Sequence, residues 1–248
     1  MTSLIAGLVT LLFTTLLTIA GVGAAFILIP VFVALGIDIH VAMATALLLN
    51  AIAMSVASYR FIRAGLVLWK VAIPILVVAT ALSPLGAWVS QGLPRDVLLW
   101  GFVGFLLFAA LMMLFYKPEE REVEQSRGRQ LMYGVAIGGF AGFLGGMLGV
   151  GGGNFIVPVL VWLGINPKKA SATTSFIVVF SSLSGFLGHA TIGSMSYELL
   201  GVTSIGSALG AMVGAWLMTD KLNRSHVKRI IGVVLFGIAA KMVWSLLG

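Results

Sequence analysis

GVGGGNFIVPVLVWLGINPKKASAT, residues 149–173, and GVGAAFILIPVFVALGIDIHVAMAT, residues 21–45, are the stretches on which the reading of this chain turns. They share 12 of 25 residues without a gap, at an offset of 149 − 21 = 128 positions. The same offset places Gly65 on Gly193, Gly86 and Trp88 on Gly214 and Trp216, and Gly104, Leu107 and Phe108 on Gly232, Leu235 and Phe236. One register therefore spans most of both halves, the signature of an internal repeat. Between the halves lies the longest charged stretch, KPEEREVEQSRGR, residues 117–129, with four basic and four acidic residues. We divide the chain into a first repeat at 1–116, a charged linker at 117–130 and a second repeat at 131–248.

Each repeat is too apolar for water. Across the chain 60% of residues are apolar and 9% charged, against roughly 25% charged in soluble domains. Continuous apolar runs, rather than alternating ten-residue segments, select helices over a transmembrane barrel. The fold class is an all-α polytopic membrane protein of two inverted repeats, each a broken helix or helical hairpin followed by three transmembrane helices. The three ordinary spans are expected at 41–59, 71–90 and 97–116, and again at 169–188, 198–219 and 229–247. The leading units, 4–35 and 131–165, are longer. A straight 32-residue helix would reach about 48 Å, well beyond a hydrocarbon core of about 30 Å. Gly21, Gly23 and Pro30 interrupt the first, and Gly149, Gly151, Gly152, Gly153 and Pro158 the second, which predicts a hairpin or re-entrant pair of short helices. The apolar run before Gly23 lacks a positive start and reads as part of the repeat, not as a cleaved leader.

Inversion follows from the basic residues. If each leading unit returns to its starting side, thirteen of the 15 Lys and Arg fall on one side and only Arg95 and Lys241 on the other. If it crosses once, the division is eight to seven. The positive-inside rule selects the first arrangement, with both termini external. The net charge of +7 is thus read as topology, with no nucleic-acid partner. No cysteine is present and the three histidines have no metal-ligand spacing, so no metal site and no cofactor are expected.

Three glycines and an asparagine at a membrane-buried break expose backbone N–H groups, and a short helix starting near Asn154 adds the positive end of its dipole, together a site for a small anion. The candidate substrate-binding residues are Gly151, Gly152, Gly153, Asn154, Thr173, Thr174 and Ser175 from the second repeat. Gly23, Ala24, Ala25, Thr45 and Asn50 join them from the first. The first half is less polar, because Phe26 stands where Asn154 stands in the second. Close helix packing alone is the competing reading for the glycines. On the helix that carries Thr174, the residues Thr174, Ser181, Gly185 and His189 lie at near-helical spacing, and Thr173, Ser175 and Ser182 widen that polar sector. His189, near that helix's end, is either a hydrogen-bonded structural residue or a proton relay. Glycines 134, 138, 142 and 146, and 206, 210 and 214, recur every four residues as close-packing stripes, with a moving or dimer interface as the alternative. An intramembrane hydrolase built on Ser and His189 lacks a nucleophile motif such as G-x-S-x-G.

In the two GVG(A/G)-to-Pro segments and the Ala-x-Ala-Thr after each, Ala42–Thr45 and Ala170–Thr173, the chain resembles the TauE/SafE family of bacterial sulfite and organosulfonate exporters. That resemblance covers nearly the whole chain. It implies a multi-pass permease of the inner membrane whose partners are the bilayer and a small anion, sulfite being the leading example, usually moved outward. An uptake permease for another small organic anion is the alternative. Ala24 and Ala25, glycines in the other half, argue against a fully two-fold site.

Overall fold

The computed structural model describes residues 2–34, 36, 37, 39–90, 95–115, 127–189 and 197–247. The described residues form α1 (Thr2–Ala20), α2 (Ala25–Ala34), α3 (Ile39–Arg63), α4 (Trp69–Val89) and α5 (Arg95–Phe115), then α6 (Arg127–Met147), α7 (Gly153–Trp162), α8 (Pro167–His189), α9 (Tyr197–Trp216) and α10 (Arg224–Leu247). A π-helical turn, Leu217–Lys221, extends α9. No strand occurs among the described residues. Val41–Arg63, Trp69–Val89, Pro167–Gly188 and Tyr197–Lys221 are long and apolar enough to cross a bilayer.

The element order repeats at the offset seen in the sequence: α2 and α7 start at 25 and 153 and end at 34 and 162, both 128 apart. Both leading units are broken, though not into two short helices. The first arm, 19 residues in α1 and 21 in α6, is full length, whereas the second arm has 10 residues in each case. Residues 2–20 contain no proline and one glycine, so nothing stops that helix before Gly21. At the breaks Gly21 and Gly23 have φ of +73° and +76°, and their counterparts Gly149 and Gly151 have +69° and +73°. Left-handed backbone, accessible to glycine at little cost, ends the first arm twice over. Helix α6 begins at Arg127, inside the expected linker. Arg127, Arg129 and Gln130 have good helix propensity and carry the helix past its apolar part, which a hydropathy reading does not register. Residues 117–126 lie outside the described residues.

Glycine stripes set the packing. A Cβ added to Gly206, Gly210 or Gly214 of α9 would lie 2.4–2.5 Å from the carbonyl oxygens of Gly7, Leu11 and Thr15 of α1. Because both series ascend together, α1 and α9 run in the same direction. Gly134, Gly138, Gly142 and Gly146 of α6 meet Pro74, Ile75, Ala79 and Ser83 of α4 in the same ascending way. The periodic glycines therefore serve close contact within the chain, where van der Waals approach replaces the hydrophobic drive that lipid does not supply. Hydroxyls join the other helices. Ser207 donates to the Leu49 carbonyl at 3.0 Å and Arg60 Nε to Thr219 Oγ1 at 2.8 Å, so α3 and α9 also run together. Thr173 Oγ1 accepts from the Leu68 amide, and a Cβ on Gly188 would touch Pro84, which aligns α4 with α8. Asn50 meets Ser182, and Gly185 faces Leu47, so α3 and α8 run in opposite directions.

At one end of the molecule Lys168 Nζ donates to the carbonyls of Thr219 and Leu222, at 2.9 and 3.1 Å, and Arg60 pairs with Asp220 at 2.5 Å. The π turn is thus held by a cation from each half. All six tryptophans are exposed and lie at or near helix ends, where amphipathic rings anchor at a membrane interface. The core is the opposite: α7 is buried along most of its length, from Gly153 to Pro158 and at Leu160 and Val161.

Candidate functional site

The two breaks meet at the centre of this packing. A Cβ on Gly153 would lie 2.9 Å from the Val22 Cα and carbonyl oxygen, so the second break is pressed directly against the first. Asn50, half-way along α3, reaches both. Its Oδ1 would be 1.8 Å from a Cβ on Gly23 and its Nδ2 3.0 Å from one on Gly151. Only glycine admits the amide at these positions. Asn50 Nδ2 donates to Ser182 Oγ at 2.9 Å, while its Oδ1 has no partner. Ser181 Oγ donates to the Gly151 carbonyl at 2.9 Å, and Ser171 Oγ to the Ala20 carbonyl at 3.1 Å. Each clamps a carbonyl that the interrupted helix leaves free.

Asn154 is 1% exposed, and neither Nδ2 nor Oδ1 has a hydrogen-bond partner. It is the second residue of α7, whose N-cap, Gly152, has φ +77° and supplies no side-chain cap. Gly153 and Asn154 have no carbonyl one turn earlier to receive their N–H groups. Pro158, four residues on, has no N–H to return to the Asn154 carbonyl. Thr174 Oγ1 on α8 is also buried without a partner. A buried amide left unmatched costs roughly 1–3 kcal/mol; the Thr14, Thr18, Ser58 and Thr80 hydroxyls are unmatched too, away from this break.

Other expected site residues have bonds of their own. Thr173 is engaged with Leu68, and Ser175 Oγ donates to the Ser171 carbonyl at 2.9 Å. This return to the preceding turn is a common resting place for a hydroxyl in an apolar helix. Gly152 and Gly153 pack tightly, a Cβ on Gly152 falling 2.6 Å from the Ala141 carbonyl oxygen. Ala24, Ala25 and Thr45 are buried, and Ala24 directly precedes α2, its carbonyl accepting the amides of Ile27 and Leu28. The side chain of His189 lies outside the described residues. Gly151 to Asn154 are all buried. Ser181, at near-helical spacing with Thr174, holds the second break through the Gly151 carbonyl, and Ser182, which widens the polar sector, holds Asn50; the sequence assigns neither of them to the substrate. Ser171 carried no signal of its own.

Comparison with known proteins identifies the class. The family model described as "Sulfite exporter TauE/SafE" matches residues 6–242, and the chain belongs to that family. It is a membrane transporter and not an enzyme. The chain is 29% identical over 197 residues to the "Probable membrane transporter protein YdhB" of Bacillus subtilis (strain 168), covering 78% of this chain and 80% of that one. It is 24% identical to the "Probable membrane transporter protein y4hK" of Sinorhizobium fredii (strain NBRC 101917 / NGR234), covering 81% of each. "Sulfite exporter TauE/SafE family protein 2" of Arabidopsis thaliana is 39% identical over 88 residues, 36% of this chain and 17% of the plant protein. No solved structure matches the chain.

Proposed function

We propose that this transporter carries small oxyanions such as sulfite or an organosulfonate, outward across a bacterial inner membrane, by alternating access around the two breaks. The observation that carries the reading is Asn154: a buried amide, unpartnered at both atoms, at the uncapped start of α7. An anion placed there would receive amide donors and the positive end of a short dipole without meeting a fixed cation. Partial charge favours turnover, since a mid-membrane Arg would add an insertion cost of at least about 2.5–3.5 kcal/mol and hold its ligand firmly. The amide also offers an acceptor, which suits an oxyanion that still carries a proton.

The two repeats are read as inverted, with both termini external and the linker cytoplasmic. Support comes from helix directions: α3 and α8, equivalent in the repeat, run oppositely, and α1 runs with α9 and α3 while α6 runs with α4 and α8. In transporters of inverted repeats, rocking of one half on the other exposes a central site to each side in turn. Proteoliposomes loaded with sulfite or a small sulfonate test the reading. Release should depend on the protein and should fall at least tenfold in Asn154→Leu; equal release from protein-free vesicles, or an unchanged rate in that variant, would remove the site. A panel of anions in the same assay identifies the substrate, and inward against outward loading gives the direction.

A further inference from the structure

On the outer surface, α3 and the end of α9 enclose an open groove of about 1030 Å³, none of whose lining residues belongs to the breaks. Its walls are apolar: Val56 and Tyr59 on one helix, Met212, Val213 and Trp216 on the other. Tyr59, Met212, Val213 and Trp216 are all exposed. Cations gather at one end only. Arg63 lies over the Tyr59 ring, 5.4 Å from its centroid, and Lys221 lies over the Trp216 ring at 5.5 Å. Neither has a carboxylate partner among the described residues, whereas the third cation, Arg60, is paired with Asp220. A groove with apolar walls, lined at one end by Arg63 and the Arg60–Asp220 pair, with Lys221 beside it over the Trp216 wall, has the charge pattern of a phospholipid standing in a leaflet.

We infer that this groove binds an anionic phospholipid, its phosphate between Arg63 and Lys221 and an acyl chain along Met212 and Val213. The groove runs along α3 from Ser55 to Arg63, about 12 Å at 1.5 Å per residue, so it reaches from the headgroup level well into the hydrocarbon. Aromatic rings at that level match the interfacial preference of Trp and Tyr. Only the choice of leaflet depends on the topology proposed above. There the cations face the cytoplasmic leaflet, where anionic lipids attract basic groups near the surface.

Native mass spectrometry of the full chain, released from detergent with phosphatidylglycerol or phosphatidylcholine, tests this directly. Phosphatidylglycerol should be retained several-fold better, and R63Q with K221Q should abolish the preference. Met212→Trp, which fills the groove and keeps both cations, should lower retention of the lipid without altering the cations, while K70Q, a cation outside the groove, should change nothing. Inorganic phosphate should not compete at concentrations equal to the lipid. Equal retention of both headgroups, a preference that survives R63Q with K221Q, competition by phosphate alone, or a lipid-free dimer of the chain blocked by Met212→Trp would overturn the assignment. Sulfite flux has no part in these readouts, so failure here leaves the transport reading standing.

Discussion

Asn154 and Gly23 show how much a single residue decides here. Because neither amide atom of Asn154 has a partner, Asn154→Leu removes an unmatched polar group rather than a bond. Replacement by an apolar group of similar size is close to neutral or stabilising in such a case. We expect thermal stability in detergent to hold or rise, while sulfite release from proteoliposomes falls at least tenfold. A matched loss of both would mean that Asn154 serves the fold. Gly23 is the converse. A methyl there collides with Asn50 at positive φ, so Gly23→Ala should destabilise the protein by well over the roughly 1–2 kcal/mol of left-handed strain alone. Gly36 supplies the control: its φ is +82° but no atom lies within 4 Å of the added Cβ. Gly36→Ala should cost only the strain, read as a smaller shift in the unfolding midpoint.

Among the elements, the two glycine-lined contacts hold the halves together. Gly142→Ala places a methyl 2.4 Å from the Ala79 Cα, and since the contact is backbone on both sides, the helices must separate. Folded yield should drop sharply. Gly104 in α5 has open space around its Cβ position, so Gly104→Ala should be tolerated and gain up to about 1 kcal/mol from helix propensity. Thermal unfolding of the two variants side by side checks the contrast. The number and order of the helices and the breaks between arms were legible in the sequence because apolar length and Gly–Pro interruption are local properties, whereas the polar ends were not, α6 starting at Arg127 and α10 at Arg224 ahead of their apolar runs; the start of α7 at Gly153 follows from three glycines in a row. The partners were not. That Gly142 faces Ala79, or that Thr173 holds Leu68 rather than a ligand, depends on which helix arrives from elsewhere, and separations of 142 − 79 = 63 and 173 − 68 = 105 residues leave no trace of that in a local pattern. Composition marked Thr173, Thr174 and Ser175 alike, and only packing distinguishes the unpartnered Thr174 from its two bonded neighbours.

For the molecule as a whole, the charge ledger and the helix directions bear on the same question from independent sides. Arg60, Lys168 and Lys221 gather around the end of α9, as expected if one face is cytoplasmic. The absence of native cysteine makes labelling unambiguous. Single cysteines in place of Ser126 and Ser225 should react with an impermeant reagent only from the cytoplasm, and one in place of Ser194 only from outside. Labelling of Ser126→Cys and Ser225→Cys from opposite sides would eliminate the inverted arrangement. The central claim is that the paired breaks form an anion site opened to each side in turn, and Asn154→Cys addresses it most directly. A small sulfonate-bearing thiol reagent should modify this single cysteine when applied from either side of the membrane, and excess sulfite should slow both reactions. A cysteine reactive from one side only, or one whose modification sulfite leaves unchanged, would contradict the account.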